Sequence, residues 1–410
     1  MKFNIYDIII VLVIALQAMG LVQIWIISSL LISAVLCFPC AVMELINIAK
    51  THKIKPIVLF FVIWFIYAGC SIVWTIDNDG VAITSVYEFM LYLFVFLGLC
   101  NSIKKSNYPI KSFLLGWTFL LCLTFPIAFW EINTGLHLPF CFTEGFTITG
   151  FDGFTEERVF AATTFANLNT YVSLLCVGLP FTFSAIFVFQ KFKLFFLGVS
   201  ITSIVLLLIN SSRGGMLVIV VDLFLFLWYY YRSNLKYKSL VSLLVTCCCV
   251  YFLGLYGDVL FNQLLGRLDG LASSGSSFFE DSYRVDLIVY GLELSLKSMG
   301  IGCGIESMND AYATMTPVAI HRAHNFMVEF LIVYGWPLFI VFLYFLIKSI
   351  LQIIRSYDLG LRYLGYAILF SFLPWMVIDD TFFERKFVWF FIMTIFLLPQ
   401  VNNNENLLNN

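Results

Sequence analysis

FKLFFLGVSITSIVLLLINSSRGGMLVIVVDLFLFLWYYY, running from Phe192 to Tyr231, sets an arginine between two long apolar runs. Only Lys193 and Asp222 interrupt the runs, which end and begin around Ser211-Ser212-Arg213-Gly214-Gly215. An arginine at the centre of a membrane helix costs about 2.5–3.5 kcal/mol, so Arg213 belongs at a membrane edge or in a wet cavity. The two glycines leave the backbone free to turn and open to close approach. A permanent cation beside bare amides suits a phosphate-bearing ligand. A topological arginine capping a short hairpin is the plainer reading of the same residues.

Composition extends this reading to the whole chain. Of 410 residues, 61% are hydrophobic and only 12% charged, with 45 phenylalanines and 20 tyrosines. Those values exclude a soluble domain and predict an all-α polytopic membrane protein. A net charge of −2 gives no reason to expect nucleic acid. Most of the eleven cysteines, including the Cys37/Cys40 pair, sit inside apolar runs and read as small hydrophobes rather than metal ligands or a disulfide framework.

Apolar runs predict about twelve transmembrane helices, at 6–20, 21–48, 56–76, 81–101, 111–131, 168–190, 193–210, 214–231, 239–257, 324–347, 360–378 and 386–401. The first two are joined by a turn at Gly20 and could also be a single span. With the N-terminus inside, 15 of the 23 lysines and arginines fall on inner segments. The positive-inside rule therefore predicts a multi-pass protein with both termini cytoplasmic, and no processing site follows the first run. The chain reads as a single transmembrane domain, 1–410, with two long extracytoplasmic loops, 131–166 and 258–323. The second is too apolar for disorder. Within it, Glu280 to Ser298 reads as a helix at the outer leaflet, with Tyr283, Leu287, Ile288, Leu292 and Leu296 near one face and Arg284 in its first turns. Gly300-Ile301-Gly302-Cys303-Gly304 superficially matches a nucleotide loop, but no helix signature follows it.

His321-Arg322-Ala323-His324-Asn325 opens the tenth span and holds two of the chain's four histidines. Acid/base or phosphate chemistry, interfacial anchoring and zinc binding all use histidine. No further ligand stands at zinc spacing, so no metal is expected. Glu329 follows inside the apolar run, where a buried carboxylate needs a partner.

In order, the chain carries Arg158, Phe165-Ala166-Asn167-Leu168-Asn169, Ser211-Ser212-Arg213-Gly214-Gly215, Arg284, Gly300–Gly304, His324-Asn325, Glu329 and Tyr334-Gly335. This set resembles the O-antigen ligase and polymerase superfamily, which includes capsule, exopolysaccharide and teichuronic acid polymerases. The likeness covers 150–345 by motif and the rest by span count. Alanine and leucine stand where a glycine and a proline often flank the asparagine motif, and His321 is an additional histidine.

The resemblance implies a GT-C-like architecture in the bacterial cytoplasmic membrane. It implies a metal-independent, inverting transfer, without cofactor, on the outer face. The donor would be a glycan on undecaprenyl diphosphate, with the flippase and chain-length regulator of the same pathway as partners. Arg213 and Arg284 would hold the diphosphate, and His324 would sit near the acceptor hydroxyl. Arg158, Asn169, Ser212, Gly214, His321, Arg322, Asn325 and Glu329 would support them. Two fixed guanidiniums can stabilise a departing diphosphate without a metal, and the first outer loop, around Met19-Gly20-Leu21, lacks the carboxylates a metal site would need. The short C-terminal tail favours a repeat-unit polymerase over a ligase. A lipid-linked oligosaccharide flippase is the reading from another class, but no internal repeat supports a transporter.

Overall fold

The computed structural model describes residues 2–20, 28–75, 80–141, 147–149, 155–157, 159–165, 167–210, 213–232, 282–314, 325–375 and 385–408. The helices are α1 (Ile5–Ala15), α2 (Ser29–Thr51), α3 (Pro56–Ser71), α4 (Ala82–Lys105), α5 (Pro109–Thr134), α6 (Leu168–Val188), α7 (Lys193–Ile209), α8 (Arg213–Arg232), α9 (Ser282–Lys297), α10 (Met308–Ala313), α11 (Phe326–Ile354), α12 (Leu359–Trp375) and α13 (Lys386–Leu408). A short antiparallel hairpin pairs β1 (Thr147–Thr149) with β2 (Thr155–Glu157) in the first long loop, Ile148 opposite Glu156.

Eleven of the expected spans coincide with helices, and the ninth, 239–257, lies outside the described residues. Six described helices are long and apolar enough to cross a membrane: α2, α4, α5, α6, α8 from Gly215, and α11. The helix of the second span starts at Ser29, and residues 21–27 lie outside the described residues. The Ser28 hydroxyl accepts the Leu31 N–H at 3.3 Å and fixes that start. The first helix runs into a 3-10 turn, Leu16–Met19, and Gly20 takes φ 52°.

The chain divides into two compact units. One comprises Met1–Gly116, Ser282–Ile353 and Asp379–Asn410; the other comprises Trp117–Asp281 and Ile354–Ile378. In the first, α2 and α4 pack closely at Gly98, where a Cβ would lie 2.5 Å from that of Cys37. Cys37 and Cys40 are buried free thiols in α2, so the C-x-x-C spacing serves packing. The Trp64 ring anchors an aromatic core with Phe89, Phe330, Tyr334 and Trp389. In the second unit α6 is buried almost throughout, packed by α7, α8 and α12. Trp117 stacks on Phe181 at 4.8 Å and Phe183 on Phe226 at 4.5 Å. Asp222, fully buried in α8, accepts the Ser371 hydroxyl at 2.8 Å.

Helix α11 contains a break. Gly335 sits at φ 73°, ψ 176°, and Pro337 follows without an N–H to give. Residues 300–304 mend the gap with their backbone. Cys303 N–H donates to Ile332 O at 2.6 Å, Gly304 N–H to Val333 O at 3.1 Å, and Trp336 N–H to Gly300 O at 2.8 Å. The end of α3 holds the other side of this loop. Tyr67 and Thr75 donate their hydroxyls to Ile301 O and Ile305 O, and the Trp74 indole donates to Gly302 O at 3.2 Å. The glycine cluster is thus a splice between helices, which is why no nucleotide-loop helix follows it.

Candidate functional site

In the second unit the region around the arginine motif is built on a strap, residues 159–165, that precedes α6. Its backbone donors go to two buried side chains. Ala161 N–H donates to Asn210 Oδ1 at 2.8 Å, while Ala162 and Thr163 N–H both donate to Glu131 Oε2 at 2.8 Å. The other carboxylate oxygen of Glu131 lies 3.4 Å from His137 Nδ1, and the His137 ring stacks on Phe160 at 4.3 Å between centroids. Glu131 is fully buried in the last turn of α5, and His137 is partly buried, its side chain 13% exposed. Cys141 completes the surroundings; burial, then the Glu131 carboxylate, pushes its thiol up to about 11.

Two helix starts frame this strap. Asn167 caps α6, its side chain accepting the N–H of Asn169 at 2.7 Å. Asn210 closes α7, and Arg213 and Gly214 open α8 three residues later. The first amides of a helix have no partner within it, and its dipole favours anions there. An arginine in that first turn makes this a suitable end for a phosphate.

The first unit holds the other candidates. Asn325 caps α11: its Oδ1 accepts Met327 N–H at 3.0 Å and Val328 N–H at 3.3 Å, and its carbonyl accepts Glu329 N–H at 2.9 Å. Glu329 is buried in the first turn of α11. It lies close to Tyr312, whose hydroxyl donates to Leu287 O at 2.7 Å and is pushed up by burial and then by the Glu329 carboxylate. Arg284 falls in the first turn of α9. The predicted helix is present. Leu287, Gly291 and Leu294 turn inward, while Leu292 and Leu296 are exposed. Gly291 decides this: a Cβ there would lie 2.4 Å from the Tyr312 hydroxyl and 2.5 Å from Val328. The helix therefore packs against α10 and α11 through its smallest residue.

Arg158, Ser212, His321, Arg322 and His324 lie outside the described residues. Among the others, the structure brings Asn325 and Glu329 onto one turn of α11 and sets Asn169 in the first turn of α6. The sequence reading assigned no role to Glu131, His137 or Asn210. The available signals were a carboxylate ending an apolar run, one histidine of only four, and an asparagine directly ahead of the arginine motif.

Residues 198–343 match the family model described as O-Antigen ligase. The match contains Arg213, Arg284, His321, His324, Asn325 and Glu329, and it supports the O-antigen ligase/polymerase superfamily. No curated protein matched the sequence. With its apolar helices the chain reads as a multi-pass membrane protein, and its 198–343 segment is similar to the O-antigen ligase family.

Proposed function

We propose, from the likeness of residues 198–343 to that family, that the chain is a repeat-unit polymerase taking its glycan from undecaprenyl diphosphate on the outer face of the cytoplasmic membrane. The observation that carries the reading is that both candidate diphosphate arginines, Arg213 and Arg284, fall in the first turn of a helix within the matched region. A first turn combines orphan amides, a positive dipole end and the guanidinium, three features that attract a diphosphate.

In the step itself, the acceptor sugar hydroxyl oxygen attacks the anomeric carbon of the donor from the face opposite the diphosphate. The new glycosidic C–O bond forms as the anomeric carbon–diphosphate bond breaks, so configuration inverts. The bonding pair leaves with undecaprenyl diphosphate, where Arg213 and Arg284 stabilise the growing negative charge. The hydroxyl proton passes to His324. Arg158, Asn169, Ser212, Gly214, Arg322, Asn325 and Glu329 hold these groups in place, and no metal is required.

The test is purified protein in detergent with a synthetic undecaprenyl-diphosphate oligosaccharide. A ladder of products supports polymerase. A single transfer to an added lipid or protein acceptor makes it a ligase, the reading closest to the matched family description. Movement of the intact lipid-linked donor across a vesicle without glycan transfer would leave the flippase reading.

A further inference from the structure

The strap ahead of α6 carries an arrangement that packing alone does not explain. Glu131 is a fully buried carboxylate, and burying one is costly unless it is richly bonded. Here one oxygen takes two backbone amides and the other faces His137. Tyr171 and Cys141 also lie within its electrostatic reach. Thr163, one of the residues it grips, sits at φ 53°, a left-handed conformation that a β-branched side chain rarely takes. Such strain persists only where surroundings over-determine it, and it clusters at functional sites. The neighbouring amide, Ala161, is held by Asn210, at the end of α7 three residues before Arg213. Hydrogen bonds therefore run from Glu131 through the strap to Asn210, with His137 facing the carboxylate at one end and Arg213 three positions along the chain from the other.

We infer that Glu131, with the partly buried His137 facing it, is a positioning residue for Arg213: it fixes the Ala161–Thr163 strap, and through Asn210 the start of α8. The inference rests on the diphosphate role given to Arg213 above. Misplacing a binding group by about an ångström can cost on the order of a hundredfold in rate, so a loosened strap is visible in turnover.

The experiment compares Glu131→Ala, Glu131→Gln and His137→Phe with wild type, and Glu131→Ala with Arg213→Ala in a double-mutant cycle. Glutamine keeps an oxygen for both strap amides, and phenylalanine keeps the stack on Phe160 but loses the pair. Expected is a loss of roughly 10- to 100-fold in kcat/KM for the lipid-diphosphate donor in Glu131→Ala. Most of it should return in Glu131→Gln, with an intermediate loss in His137→Phe. Residues acting as one unit are strongly non-additive, so Glu131→Ala should add less than about threefold to Arg213→Ala. Multiplying losses would mean a general structural role and overturn the inference.

Hydrogen exchange at Ala161–Thr163 supplies a readout independent of turnover. Those amides should lose protection in Glu131→Ala and keep it in Glu131→Gln. Unchanged exchange in Glu131→Ala overturns the strap whatever the activity, whereas inactive wild type with the expected exchange pattern refutes only the glycosyl-transfer reading. If Glu131→Ala fails to fold, Asn210→Ala breaks the other tie and should give a smaller loss of the same non-additive kind.

Discussion

Trp336 donates its backbone N–H to the carbonyl of Gly300, 2.8 Å away, across the break in α11. The partner is 36 positions earlier in sequence, yet it does what a helical carbonyl would do. Non-helical backbone within a membrane protein is tolerated only where protein or water satisfies it. Here the loop after α9 takes over the Ile332 and Val333 carbonyls and supplies one to Trp336. The break therefore costs few hydrogen bonds and lets two short glycine motifs interlock.

That geometry ranks the glycines. A Cβ on Gly335 would lie 2.2 Å from Gly300 O, at a φ of 73° that already disfavours a side chain. Gly300 is also left-handed, but its nearest neighbour is 3.5 Å away. Gly335→Ala should cost at least about 4 kcal/mol of stability, and Gly300→Ala only about 1–2 kcal/mol from its backbone conformation. Thermal unfolding of detergent-purified variants checks the order; an equal, small drop for both would mean the splice is not rigid.

The reason the glycines were legible only as turns is general to this chain. Apolar period and length placed most of the described helices to within a few residues, the start of α2 and the end of α13 excepted, because burial in a membrane leaves the backbone no other choice. Asn167 and Asn325 stood out in the sequence only as members of motifs, and their capping bonds belong to the structure. The splice, the Glu131 clamp and the inward face of α9 could not. Each depends on atoms brought together from well-separated positions in the chain, such as Ala162 on Glu131 or Gly291 against Val328. Local pattern contains no trace of such pairings. On α9, Leu292 and Leu296 stay exposed while close packing within the protein falls on Gly291, a part that hydrophobicity alone does not mark.

Topology gives the next test. The basic inner loops predict both termini in the cytoplasm and the 258–323 loop outside. A single cysteine introduced at Ser274 in a background without reactive thiols should label with an impermeant maleimide from outside intact cells. Labelling only after the cytoplasmic face is opened would reverse the orientation and remove His324 from the outer surface.

For the arginines, charge and shape can be separated. Arg213→Lys keeps the cation but loses the bidentate fork, so it should fail nearly as badly as Arg213→Ala. Each should cost on the order of 2–4 kcal/mol in transition-state stabilisation, comparable with loss of an oxyanion donor. Arg284→Ala should behave alike with expression unchanged. Full polymer production by either alanine variant, read as chain length on a gel, would leave these residues a purely structural part.

The two histidines separate by position. A base must reach the acceptor proton, so placement outranks intrinsic basicity. His324 directly precedes Asn325, and Asn325 fixes the first turn of α11 by accepting the Met327 and Val328 amides. His324 therefore adjoins a firmly capped helix start, whereas His321 stands three residues further from that anchor. His324→Ala should abolish chain extension while the donor still binds, because the arginines hold its diphosphate. His321→Ala should retain substantial activity, and EDTA should change neither wild type nor this variant. Initial rates and donor affinity, measured with and without chelator, decide the matter. An inactive His321→Ala beside an active His324→Ala transfers the base to His321, and inhibition by EDTA would falsify the metal-free step.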